Sequence, residues 1–182
     1  MKSKPCSEYA LLGALMPGDT HGYEILQFLE TALGSAFHVG ASQMYVLLKR
    51  LEMDGLLASS VELQDSLPSK RIFSLTPAGR KVFLEWIQRP VEHVRDLRME
   101  FLAKIYFFHS LSLKGGEELI RAQVRALEKV KEGIWRQQAE ERDRFNRLVF
   151  RLKLATIDTW IQWITDEAAP FVRKTKGALH AR

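Results

Sequence analysis

Residues 41–76 read ASQMYVLLKRLEMDGLLASSVELQDSLPSKRIFSLT. Met44, Leu47, Leu48 and Leu51 recur at i, i+3, i+4 and i+7, the spacing that puts apolar side chains on one face of a helix. That helix begins near Ala41 and ends before Gly55. Two short strands follow, about 56–63 and 71–75, joined by a polar loop Gln64–Lys70 with a basic end at Lys70-Arg71.

Working outward, Ser7 is an N-cap for a helix over about 7–16, with Leu11, Leu12, Leu15 and Met16 as its stripe. Pro17-Gly18-Asp19-Thr20 is a turn. A second helix runs from Gly22 to Leu33 with Ile25, Leu26 and Leu29 on one face, and Gly34 ends it. Thr76-Pro77 has the form of an N-cap followed by proline at the first helical position. It opens a helix to about Gln88, with Ala78, Val82, Trp86 and Leu84 on its apolar side. The order helix, helix, helix, strand, strand is that of a winged helix-turn-helix.

Pro90 is the expected boundary. Beyond it the pattern is helical: about 91–109, then about 113–145, then about 147–167, with a break near Asn146. The expected fold is therefore mainly α: a winged helix-turn-helix of three or four helices and a two-stranded wing over residues 1–89, then an all-α dimerisation domain over 90–182. The blocks Glu128–Glu132 and Glu140–Arg144 mix both signs, as a solvent-facing helix does.

The 182 residues can bury a core without staples, and 46% hydrophobic with 27% charged residues is ordinary for a globular chain. A single cysteine, Cys6, excludes an internal disulfide and a cysteine-rich zinc site. The first apolar run is too short for a membrane span and shows no leader pattern, so a cytoplasmic location is expected. The net charge is +5, yet residues 1–90 hold nine Lys/Arg and nine Asp/Glu, so the surplus lies wholly after Pro90. General basicity thus carries no argument for a nucleic-acid partner, and the placement of individual cations must.

On the third helix that placement is suggestive. Opposite the apolar stripe lie Ser42, Val46, Lys49 and Met53, flanked by Gln43, Tyr45 and Arg50. Short polar groups at the start of such a helix can approach base edges: Gln43 suits adenine and Val46 a thymine methyl. Lys49 and Arg50 suit phosphates. Lys70 and Arg71 would reach the backbone or minor groove from the wing. The plainer alternative is a solvated helix face on a protein-interaction module that never touches DNA.

At these residues a resemblance becomes visible. Segment 8–89 resembles the N-terminal domain of PadR-type transcriptional regulators. The matching residues are Glu8–Gly13, His21-Gly22-Tyr23-Glu24-Ile25, Ser42, Tyr45, Leu48, Arg50-Leu51-Glu52, Gly55-Leu56, Lys70-Arg71 and Leu75–Arg80. The family's S-V-Y-P pattern is replaced by Ser42-Gln43-Met44-Tyr45-Val46, and its R-K-Y-Y-R-L-T wing strand by Lys70-Arg71-Ile72-Phe73-Ser74-Leu75-Thr76. The resemblance implies double-stranded DNA as partner, a homodimer on a palindromic operator, repression as the usual outcome, and Tyr23 among the DNA-facing residues. The tail resembles the virulence-activator-alpha-like helical domain of the family's longer branch, with Trp160-Ile161-Gln162-Trp163-Ile164 in its last helix.

Leu97, Phe101, Ile105 and Phe108 form one stripe of the tail, and Leu148, Leu152, Ala155, Thr159 and Trp163 another. Helices so apolar need a partner. Leu97, Phe101, Ile105, Phe108, Leu152, Trp160 and Trp163 are the expected dimer interface. Trp135, Trp160 and Trp163, with Phe171, could instead line a pocket for a flat aromatic effector. The five histidines lack ligand spacing, and Gly115-Gly116 lacks the following Lys-Ser/Thr of a phosphate loop, so no enzyme, metal or cofactor is expected.

Overall fold

The structure is a computed structural model. It describes residues 4–34, 36, 39–64 and 67–173, with the backbone only at 63, 64 and 67–70. The chain divides into two compact units, Met1–Ile87 and Gln88–Arg182.

The first unit runs α1 (Cys6–Ala14), β1 (Thr20–His21), α2 (Gly22–Ala32), α3 (Ala41–Met53), β2 (Leu57–Gln64), β3 (Leu67–Leu75) and α4 (Pro77–Gln88). The three strands form one antiparallel sheet in the order β1-β3-β2. Within the hairpin Leu57 faces Leu75, Ser59 faces Phe73 and Val61 faces Arg71, with an irregularity between Glu62 and Gln64. The core is drawn from the four helices and from β2 and β3: Leu11, Leu12, Leu15, Ile25, Leu29, Met44, Leu48, Leu51, Leu57, Phe73, Phe83 and Trp86 are buried. Tyr9 stacks on Trp86 with ring centroids 4.7 Å apart and 3° between planes.

Two backbone devices fix the joint between α3 and the wing. Gly55 adopts φ +69°. Its N–H donates to the Glu52 carbonyl at 3.0 Å and that of Leu56 to the Leu51 carbonyl at 2.9 Å. This is the paired closure that needs a left-handed residue after a helix, and glycine adopts it without strain. Where β3 returns beside Gly55, Thr76 caps α4: its hydroxyl accepts the Gly79 N–H at 3.0 Å and lies 2.8 Å from the Gly55 carbonyl oxygen. Gly79 must stay bare, because a Cβ there would stand 2.1 Å from the backbone oxygen of Leu56.

Several expectations are corrected here. Pro5, not Ser7, precedes α1, and no side chain caps it. β1 is a strand where only a turn was expected, since two residues carry no periodicity. The strands reach further into the hairpin than 63 and 71. The buried face of α4 is Gly79, Phe83, Trp86 and Ile87. The expected stripe of Ala78, Val82, Leu84 and Trp86 is thus rotated by about one residue, and Ala78 is exposed.

In the second unit a 3-10 turn (Val94–Asp96) and a π turn (Leu97–Phe101) precede α5 (Leu102–Ser110). α6 (Gly116–Glu140) and α7 (Arg144–Trp163) follow, then a π turn (Ile164–Ala168) and α8 (Ala169–Arg173). The expected single helix over 91–109 is thus three pieces. α6 is shorter than 113–145 because Asp143 starts α7, its carboxylate accepting the Asn146 N–H at 2.8 Å. α6 and α7 pack as a hairpin joined by Lys131 and Asp158, with Leu127, Leu154 and Ile157 buried.

Two buried polar side chains grip the start of this unit. The Gln123 amide accepts the Val91 N–H at 2.6 Å and donates to the Val91 carbonyl at 3.0 Å. Lys104 donates to the Arg89 carbonyl at 2.7 Å and pairs with Glu100 at 2.7 Å. Each satisfies a group that would be costly to bury alone. Among the described residues no helix is long and apolar enough to cross a membrane.

Candidate nucleic-acid interface

α3 separates its two faces as its periodicity requires. Met44, Leu48 and Leu51 are buried and Leu47 half-buried, while Ser42, Gln43, Tyr45, Val46, Lys49, Arg50 and Met53 are exposed. Burial of the inner residues fixes the helix rotation, and with it the outward display of a hydroxyl, an amide, a phenol, a branched methyl pair and two cations. Gly40 precedes the helix and no side chain caps its first turn. Its leading N–H groups are therefore suited to an anion beside Ser42 and Gln43.

Tyr45 leans on α2. A Cβ at Gly22 would stand 2.8 Å from the Tyr45 hydroxyl oxygen, so glycine permits that close approach. Tyr23 stands exposed next in sequence, and His21, Tyr23, Tyr45, Arg71 and Phe73 line a shallow cleft of about 490 Å³. The start of α2 is stiffened by Glu24, whose carboxylate accepts the His21 N–H at 3.0 Å and the Thr20 hydroxyl proton. The structure thus brings Tyr23, Tyr45 and Arg71 together around one cleft.

The two arginines are not free cations. Arg50 lies 3.2 Å from Glu8, a fully buried carboxylate on α1 that also pairs with Lys4 at 3.2 Å. Lys4 in turn binds Asp54 at the end of α3. Burial pulls the Lys4 ammonium toward deprotonation, but its hydrogen bonds to Asp54 and Glu8 outweigh this and hold it above its ordinary range. The Lys4 hydrogen bond holds Asp54 below the usual carboxylate range.

Arg71, expected at the start of the strand where the loop ends, sits well inside β3 opposite Val61. Its Nε donates to the Ser59 hydroxyl at 2.8 Å and its Nη2 to Glu52 Oε2 at 2.7 Å. Ser59 donates to Glu52 Oε1. The Arg71 guanidinium also lies 5.3 Å from the centre of the Phe73 ring. The Ser59 hydrogen bond first, and then Arg71, lower the Glu52 pKa. Lys49 has no ion-pair partner among the described residues. Lys70 faces Glu62 across the hairpin, and its side chain lies outside the described residues. Sequence reasoning missed the anionic partners Glu8, Glu52 and Asp54, since no local spacing signals contacts between residues so far apart in the chain.

The tail corrects the expected dimer interface. Leu97, Phe101, Ile105 and Phe108 are buried within the chain itself and offer no surface to a second copy. Phe108, for example, packs where Gly116 and Val172 meet: a Cβ at Gly116 would lie 3.4 Å from the Phe108 ring and 2.2 Å from Val172. Leu152 is 67% exposed, joined on the same side of α7 by Phe145 at 69% and Leu148 at 62%. Trp160 and Trp163 are half-buried and meet edge to face, with centroids 5.7 Å apart. Trp135 lines a groove between α6 and α7 with Arg147, Arg151, Leu154 and Asp158, of about 680 Å³. The groove wall does not include Trp160 or Trp163. Phe171 instead lies against His109, at 4.4 Å. Among the described residues no three His, Cys, Asp or Glu side chains are gathered as metal ligands would be.

Residues 11–85 match the family described as "Transcriptional regulator PadR-like family". The chain is 29% identical over 117 residues to the "Negative transcriptional regulator PadR" of Bacillus subtilis, covering 64% of each protein. It is 24% identical over 90 residues to a probable transcriptional regulator of Mycobacterium tuberculosis, covering 50% of this chain and 48% of that one. The match therefore spans less than two thirds of either relative's length. A crystal structure of Bacillus subtilis PadR in complex with operator DNA covers 90% of this chain and 98% of its own, at 24% identity and a TM-score of 0.46. α3 and the wing thus lie within the segment, residues 11–85, that matches the PadR-like transcriptional regulator family.

Proposed function

We propose that the protein is a sequence-specific DNA-binding repressor that acts in the cytoplasm as a homodimer on a palindromic operator. The observation that carries this is the division of α3: Met44, Leu48 and Leu51 held inward, and Ser42, Gln43, Tyr45, Val46 and Lys49 presented outward beside the wing. A rigid helix displaying short polar groups at its start and a free lysine about two turns on has the composition of a helix read into the major groove. Repression is supported by the name of the Bacillus subtilis relative, a negative regulator.

The homodimer reading rests on α7. Phe145, Leu148, Leu152, Ala155 and Thr159 are all exposed. They are spaced 3, 4, 3 and 4, the seam that a second helix of the same kind fills. A palindromic operator follows from a two-fold dimer, because one α3 touches few base pairs. We take residues 1–89 as the DNA-binding domain and 90–182 as the dimerisation domain, of the virulence-activator-alpha-like type. The signal that releases DNA would act on the tail. The groove beside Trp135, with Arg147 and Arg151 on its wall, suits a flat aromatic carboxylate.

The test is enrichment of duplexes from a random library by the full chain, followed by binding of the enriched sequence across a salt series. The expected result is an inverted repeat, with affinity falling steeply as salt rises because phosphate contacts release counterions. No DNA affinity at low salt would leave the protein-interaction module as the better reading, with Lys49, Arg50 and Arg71 as ordinary surface.

A further inference from the structure

Glu52 is an odd residue to find beside a DNA-facing helix surface. A carboxylate there repels phosphate, and yet it sits on α3 one turn beyond Lys49. Its two oxygens are both engaged: Oε1 accepts from Ser59 on β2 and Oε2 from Arg71 on β3. Arg71 closes the ring by donating its Nε–H to the same Ser59 hydroxyl at 2.8 Å. Three side chains from three elements thus satisfy one another, and Phe73, buried in the core, supports the guanidinium from below.

The ring has two consequences for binding. It ties both strands of the wing to the helix that would read bases, so wing and helix present themselves at one fixed angle. It also commits two donor nitrogens of Arg71 inward. An untethered arginine on a hairpin can meet a phosphate in many registers, which raises affinity for any duplex alike. A tethered one adds contact only where α3 is already seated. Fixing the geometry of a contact before binding favours the matching site over the rest.

We propose that Glu52 is a positioning residue that sets discrimination between operator and other DNA, by holding Arg71 and fixing the wing against α3. This rests on the DNA-binding reading above.

The experiment uses the full chain with two probes, a duplex carrying the inverted repeat enriched by the wild type and a scrambled duplex of the same composition. Wild type, Glu52→Gln, Ser59→Ala, Arg71→Gln and the Glu52→Gln/Arg71→Gln double variant are titrated across a salt series. Glu52→Gln should lose about tenfold of the operator-over-scrambled preference. Its binding to the scrambled duplex should rise, with a log affinity against log salt slope steeper by about one as Arg71 gains a phosphate. The double variant should return that slope to the wild-type value. Ser59→Ala leaves net charge unchanged but opens the ring, so it should lose part of the preference. If thermal melting shows Glu52→Gln to be poorly folded, Ser59→Ala decides by the same ratio. Equal changes on both probes, or none, would overturn the proposal while leaving the DNA-binding reading intact. A wild type that binds no duplex would overturn both.

Discussion

Arg50 on α3 lies 3.2 Å from Glu8 on α1, and that carboxylate has no solvent exposure. The arginine that follows Lys49 in sequence therefore has a different task from its neighbour: it neutralises a charge buried under the helix. Arg50→Ala should lower both stability and DNA affinity. Lys4 remains to pair Glu8, and the Arg50 side chain is 60% exposed. The cost should accordingly be about 1–2 kcal/mol, well under that of stripping a buried charge bare. Lys49→Ala should leave stability within about 0.5 kcal/mol and lower DNA affinity alone. Urea unfolding and binding titrations on the two variants check this, and identical behaviour would show that Arg50 is not structural.

The joint between wing and α4 should be intolerant. Gly79→Ala places a methyl 2.1 Å from the Leu56 carbonyl oxygen, a backbone atom that cannot swing away. We expect a loss above about 3 kcal/mol. Thr76→Ala removes the cap and the hydroxyl's bond to the Gly55 carbonyl, and should cost about 1–2 kcal/mol. Equal melting temperatures for the two variants would contradict the packing described for α4.

Acid should loosen the wing. The Glu52 pKa is lowered in the folded chain, first by the Ser59 hydrogen bond and then by Arg71. Its contribution to stability is therefore full above the unfolded pKa and is lost as pH falls through the folded one. The melting-temperature gap between wild type and Glu52→Gln should be wide near neutrality and shrink below about pH 4. A gap that stays constant with pH would mean the carboxylate charge is not what holds Arg71.

If α7 is the dimer seam, Leu148→Glu with Leu152→Glu should give a folded monomer. Both side chains are exposed in the single chain, so the substitution removes nothing from its core. Sedimentation velocity reads the mass and circular dichroism the helicity. A dimer of unchanged strength would move the interface elsewhere.

The α3 face was legible in sequence because it carries a strong 3.6-residue period, and the two hairpin strands because they flank a polar loop. Thr76-Pro77 was legible because capping chemistry is local. What sequence hid has a common cause. Leu97, Phe101, Ile105 and Phe108 announce an apolar stripe, but a stripe does not say whether its cover comes from the same chain. Here the chain itself covers them. Phe145, Leu148 and Leu152 look no different on paper and yet remain exposed. Likewise Arg71 reads as a free cation until Glu52, nineteen residues earlier, is seen beneath it.

The grip of Gln123 and Lys104 on residues 89–91 has its own consequence. What they hold is main chain: the Val91 N–H and carbonyl, and the Arg89 carbonyl. These bonds use no side-chain atom of residue 89 or 91, although Val91 is itself buried. A single substitution at Gln123, by contrast, opens both bonds to Val91 at once. The vulnerability of the segment that leaves α4 is thereby recorded also in two letters written further along the chain, in α5 and α6.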